Sequence, residues 1–272
     1  MSRHLITANS SIFKSIDEFC ALRGDLLKNA ATPRWISSES KHRHFMINSI
    51  LGESVSFGPS RKLARFKLDD KSYLCTVGFE QITTCTEFVE LELDSAHLTV
   101  ALSELLPKPK VTTTEIRQIV EFADKNSDPK YGGHHFDGIA SIFPNVRFFS
   151  TKRRSDDEIW DSFLRICIDE CEFGSSWIEG RLADTLRSIC ELDPRRIPYR
   201  VLCRSIFDGD PSSFFLALYR CLEALYSYSG AKKIVAALNI DREWGDVAVA
   251  LEDQLNWHPH EEGSLISIIR LL

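Results

Sequence analysis

No stretch of the sequence approaches the roughly 18 consecutive apolar residues that span a bilayer, and the opening MSRHLITANSSIFK lacks the apolar run of a signal peptide. No membrane partner is expected, and the chain is expected to be cytoplasmic. Positive charge is not in excess either. Against 39 Asp and Glu stand 33 Lys and Arg, a formal charge of −6, so no global field draws the molecule to nucleic acid or acidic lipid. RNA or DNA binding would need a local patch. Spacings of recognised chemistry are also missing: there is no phosphate-binding glycine loop, dinucleotide fingerprint, Gly-x-Ser-x-Gly elbow, His-Glu-x-x-His or kinase set. No cofactor is implied, and no internal repeat or low-complexity tract is visible.

What is present is ordinary globular material. An apolar fraction of 43% with 26% charged residues excludes a long disordered chain, and 272 residues suffice for a sizeable core without disulfides or metal. The eight cysteines, at 20, 75, 85, 167, 171, 190, 203 and 221, fall mostly inside apolar periodic segments, the pattern of buried thiols in a reducing compartment.

The patterning predicts an α+β protein: an N-terminal helix and a small antiparallel β meander, then a mainly α-helical C-terminal domain. Ile12, Ile16, Phe19, Leu22, Leu26 and Leu27 recur at helical spacing, which predicts a helix from Ser11 to about Asn29. Segments 45–57, 63–68, 72–79 and 87–93 carry β-branched and aromatic residues between turn signals, with a tight turn at Asp69-Asp70. A helix over 95–106 is then stopped by Pro107 and Pro109. Thr112 to Glu115 reads as a capping box opening a helix to about Lys125, and 126–151 as a long loop or short strands. Further capping boxes at Ser155 to Glu158 and Ser176 to Glu179 mark helices. Asp210-Pro211 opens one that stops near Gly230, followed by helices near 231–238, near 242–255 and from Glu261 on. The implied division is 1–110, a linking helix and loop 111–154, and a helical domain 155–272.

The sharpest local constellation is Gly132-Gly133-His134-His135-Phe136-Asp137. Histidine with aspartate serves as metal ligand or general base, and glycine admits close approach of a ligand. Adjacent histidines on an extended segment point to opposite sides, so the plainer reading has one packed and the other solvated. Basic clusters at Arg61, Lys62 and Arg65, at Lys152, Arg153 and Arg154, and at 41–44 are candidate phosphate contacts or else solvated surface. Cys167 and Cys171 lie one helical turn apart among apolar neighbours, which favours a buried pair over zinc; no metal site is assigned. His258-Pro259-His260-Glu261-Glu262 reads as a turn and the first, acidic turn of a terminal helix.

One stretch carries a family likeness. Ser212-Ser213-Phe214-Phe215-Leu216-Ala217-Leu218-Tyr219-Arg220-Cys221-Leu222-Glu223-Ala224-Leu225-Tyr226, followed by Trp244 and the terminal helix, resembles the opening of the helical HEPN (higher eukaryotes and prokaryotes nucleotide-binding) domains of bacterial defence proteins. The likeness covers roughly the last sixty residues. That family uses arginine, four residues, histidine on a later helix, and no arginine here is followed five positions later by histidine. The resemblance therefore implies a domain without nuclease activity that pairs through its helices, with Tyr219, Arg220 and Glu223 at the interface. The resulting expectation is a non-enzymatic interaction component of an anti-phage system, with a protein partner or a second copy. The alternative is an RNA-directed nuclease or nucleic-acid binder using His134, His135, Asp137 and the basic clusters.

Overall fold

A computed structural model of the chain describes residues 4–28, 33–82, 88–121, 131–152, 159–173, 178–190, 197, 199–208, 211–242 and 244–255. They form two compact units, 1–159 and 160–272. The architecture is α+β: an N-terminal helix, a five-stranded antiparallel sheet and a helical C-terminal region.

The first helix, α1, spans Leu5–Ala21 and buries Ala8, Asn9, Ile12, Phe13, Ile16 and Cys20 along one side. It begins and ends earlier than the apolar spacing alone predicts. Its stop is Gly24, at φ 79°, which closes a Schellman-type end: Gly24 N–H bonds Ala21 O at 3.0 Å and Asp25 N–H bonds Cys20 O at 3.1 Å. Leu22, the residue that caps the helix, and Leu26, beyond Gly24, were both expected on the buried face and are exposed, whereas Leu27 is buried.

The segment predicted as strand from 45 begins instead as a short helix, α2 (Arg43–Asn48), which buries Met46 and sets Phe45 against His97, Tyr73 and Phe148. The strands are β1 (Ile50–Phe57), β2 (Arg61–Leu68), β3 (Lys71–Val77), β4 (Phe88–Leu91) and β5 (Val146–Thr151), in the order β1-β2-β3-β5-β4. The turn between β2 and β3 is Asp69-Asp70, Asp69 taking the left-handed conformation (φ 51°) that aspartate tolerates better than most residues. Because Ala64 pairs with Cys75 and Cys75 with Phe148, the two-residue alternation puts Ala64, Phe66, Cys75, Val77, Val146 and Phe148 on one face. That face forms a core with Ile12 and Ile16 of α1 and with Leu98, Ala101 and Leu102 of α3 (Ser95–Leu105). Leu63, Arg65, Leu74, Thr76 and Phe149 alternate onto the other face and are buried as well.

Helix α3 starts at Asp94, whose carboxylate accepts the Ala96 and His97 N–H groups, both at 2.8 Å, and it ends at Leu106 in the left-handed region. The expected capping box opens α4 (Thr113–Glu121): Thr112 N–H donates to Glu115 at 2.9 Å and Glu115 N–H to the Thr112 hydroxyl at 3.3 Å. The linking segment 111–154 carries the expected helix and a short strand, and adds a helix that the sequence did not mark. It supplies α5 (Phe136–Ile142) and then β5, which inserts between β3 and β4, so it belongs to the sheet of the first unit.

In the second unit lie α6 (Ile159–Phe173), α7 (Gly180–Ile189), α8 (Tyr199–Asp208), α9 (Pro211–Leu238) and α10 (Trp244–Leu255). The predicted break at Gly230 is absent. Interior glycine costs a helix only about 1 kcal/mol, and α9 runs through it to Asn239, whose φ of 50° turns the chain. The capping residues Ser155 to Glu158, Ser176 and Asp210, together with Cys85, Arg153, Arg154, the 258–262 turn and the terminal helix, lie outside the described residues.

Candidate functional site

The histidine loop is held by a short β-like crossing. Ile36 and His134 form an isolated parallel bridge, in which His134 N–H donates to Trp35 O and Ser37 N–H to His134 O, each at 2.8 Å. Gly133 is required there. Its φ is 105°, and a Cβ at that position would stand 2.6 Å from Trp35 Nε1. The Trp35 indole donates to Gly132 O at 3.1 Å and packs edge-on to Tyr131, whose ring centroid is 4.6 Å away. His134, 2% exposed, is packed between Phe13 and Tyr131 at centroid distances of 5.0 and 5.3 Å.

His135 faces the other way. Its Nδ1 is 3.2 Å from Asp137 Oδ2, and both side chains are largely in solvent. Beside it lies a cleft of about 470 Å³ lined by Ser37, Ser38, Glu39, Lys41, Glu92, Asp94 and Phe136. The three residues of the sequence constellation are thus split: His135 and Asp137 meet at the surface, and His134 belongs to the packed interior. Among the described residues no group of three His, Cys, Asp or Glu side chains is placed to hold a metal. Cys167 and Cys171 are buried in α6, and burial, followed by the hydrogen bond with Cys203, pushes the Cys167 thiol well up.

The basic residues of β2 do not form one patch. Arg65 is 1% exposed, and its Nη2 and Nε donate to Ser72 Oγ at 2.8 and 3.3 Å. On the opposite face Lys62 Nζ donates to Leu105 O at 2.5 Å, at the carboxyl end of α3, where the helix dipole favours a cation; burial nevertheless lowers its pKa. Lys152 is exposed at the end of β5, apart from this pair in the sequence.

Helix α9 carries the remaining candidates. Phe214 and Ala217 are buried, while Phe215 and Leu216 are 64% and 56% exposed. Residues 215, 216, 219 and 220 share one side at helical spacing. The Phe215 and Tyr219 rings stack there with centroids 6.4 Å apart, and Arg220 is exposed. Glu223 lies on the same helix, but its side chain is outside the described set. The sequence likeness pointed to Tyr219 and Arg220; the exposed Phe215 and Leu216 beside them were not singled out, although adjacent aromatic and aliphatic residues straddling a helix face are a legible signal. No family model, curated protein or solved structure matches the chain.

Proposed function

We propose that this chain is a non-enzymatic interaction component of a bacterial anti-phage defence system, and that it pairs with a second copy of itself through α9. The observation that carries the pairing is an apolar stripe, the exposed Phe215 and Leu216 flanked by the half-buried Tyr219, on one side of a helix whose other side, at Phe214 and Ala217, is already buried. A second copy fits it because the stripe continues into Arg220 and, three residues on, Glu223: a two-fold pairing sets the basic position of one copy opposite the acidic position of the other. The defence context rests on the HEPN-like segment Ser212 to Tyr226, and the non-enzymatic character on the missing arginine–histidine motif of that family.

Light scattering of the purified chain over a range of concentrations tests this reading. A dimer is expected for the wild type and a monomer for Phe215→Glu/Leu216→Glu. A monomer at every concentration, or a dimer that survives both substitutions, removes the reading. If cellular RNA raises the mass at low salt and the effect disappears as salt is added, a nucleic-acid role replaces it, because phosphate contacts release counterions.

A further inference from the structure

In the first unit, and independent of the α9 reading, a groove of about 780 Å³ runs between α1 and the extended segment 33–38. On the helix its lining extends from Leu5 to Asp17, which at 1.5 Å per residue is about 18 Å. The facing segment runs the opposite way along it, since Ile36 N–H donates to Asn9 at 2.8 Å and Arg34 Nη1 meets Asp17 at 3.4 Å. Phe13, Ile36 and Met46 form a buried floor, and Ile6, Ser10 and Lys14 stand exposed on the rim. The volume falls within the range of sites that enclose small molecules.

The two ends differ in chemistry. The amino-terminal end of the helical wall is Leu5 and Ile6, and the other end carries Lys14, Asp17 and Arg34. Arg34 is ion-paired with Asp17 and also donates to Lys28 O at 2.6 Å, so these two charges offset each other. Lys14, on the rim, is 3.7 Å from the exposed Glu18, a weak pair whose carboxylate is not part of the lining. The lining therefore holds two cations against one carboxylate. Between the ends, the Asn9 side chain is engaged on both sides, by Ile36 N–H and Leu5 O, and the Trp35 indole N–H by Gly132 O. A peptide backbone laid there would meet the Ser10 and Ser38 hydroxyls, one near each wall, whereas an alkyl chain needs no partner.

We propose that this groove binds an elongated amphipathic monoanion of the straight-chain carboxylate class, its alkyl body along Leu5, Ile6 and Phe13 and its carboxylate at Lys14. Titration calorimetry of the full chain with decanoate tests it, alongside the indole N–H resonance of Trp35, identified by its loss in Trp35→Phe. Decanoate is expected to bind at one site and shift that resonance. Ile6→Glu should weaken binding about tenfold through lost apolar contact, and Lys14→Glu about fivefold. The neutral decanol should feel Ile6→Glu and ignore Lys14→Glu. Both residues are exposed rim positions, and unchanged circular dichroism shows that the variants fold. Absence of binding at about 1 mM decanoate, binding indifferent to both variants, or binding to phosphatidylglycerol vesicles or to an apolar peptide but not to free decanoate overturns the proposal.

Discussion

Replacing Arg187 tests what holds α7 to α6 in the second unit. Its Nη2 and Nε donate to Asp169 at 2.8 and 3.2 Å, Nη2 also reaches Glu172, and Nη1 lies 3.1 Å from Asp184. Burial works against the Arg187 charge, but its hydrogen bonds with Asp169 and Glu172 outweigh that and raise its pKa. The side chain of Asp169 is 1% exposed and that of Asp184 is 79% exposed, so the three carboxylates are not equivalent. Arg187→Met keeps the aliphatic stem and strips the guanidinium from Asp169. Breaking a buried pair in this way typically costs about 3–5 kcal/mol, and because the Arg187 side chain is about a quarter exposed (23%), the lower end, about 3 kcal/mol, applies. Asp184→Ala removes only a solvent-screened contact and should change stability by less than about 0.5 kcal/mol. Asp169→Asn with Arg187→Met should be less damaging than the sum of the two, with a coupling of about 1.5 kcal/mol or more. Calorimetric melting of the full chain reads the effect as a fall of about 6–12 °C for Arg187→Met, and hydrogen exchange localises it to α6 and α7. If Arg187→Met and Asp184→Ala behave alike, or if the double variant is additive, the buried pair is not what fastens these helices.

Three further outcomes are expected. The hydrogen bonds from Arg147, at 2.6 and 2.7 Å, hold the Glu90 carboxyl below its ordinary range. A folded pKa below the unfolded one means that the stabilisation is complete above the unfolded value of about 4.3 and is lost as pH falls through the folded value. Wild type should therefore melt above Glu90→Gln near neutral pH, with the gap closing toward about pH 3; a gap constant with pH counts against it. Gly133→Ala should destabilise by more than about 1 kcal/mol, since it adds a Cβ at positive φ against Trp35, and should alter the near-ultraviolet circular dichroism of the Trp35 and Tyr131 pair. His134→Ala should lower the melting temperature, whereas His135→Ala and Asp137→Ala each change stability by less than about 0.5 kcal/mol; a reversed order would contradict their burial.

Local signals in the sequence predicted local structure well. The Thr112 to Glu115 box, the Pro107 stop after α3 and the Asp69-Asp70 turn depend on a few consecutive residues, and each appears where its chemistry puts it. The end of α1 was equally local but hidden: Leu22, Leu26 and Leu27 continue the apolar spacing past Gly24, and periodicity outvoted the one residue able to reverse the chain. At Gly230 the error ran the other way, a glycine read as a stop where the helix tolerates it. The insertion of β5 between β3 and β4 rests on pairing across about 70 residues, and no local pattern encodes it. For the same reason the groove was invisible, because it joins α1 to residues 33–38 through contacts such as Asn9 to Ile36 and Asp17 to Arg34.

The fate of the arginines bears on the competing nucleic-acid reading. A phosphate-binding surface needs guanidinium groups that face solvent on one side of the molecule. Arg34 is engaged with Asp17, Arg65 with Ser72, Arg147 with Glu90 and Arg187 with Asp169 and Glu172, and each of these contacts is internal to its own unit. A cation already held in such a pair gains little from a phosphate, since binding would first have to break it. In a chain of formal charge −6, assigning these arginines to packing leaves exposed cations such as Lys152 and Arg220 to carry any phosphate contact, on different units. Charge reversal at Lys152 alone should therefore leave the salt dependence of any RNA binding almost unchanged, by at most about one phosphate's worth of slope. A larger change would mean that Lys152 anchors a basic surface with neighbours that these internal pairs do not include.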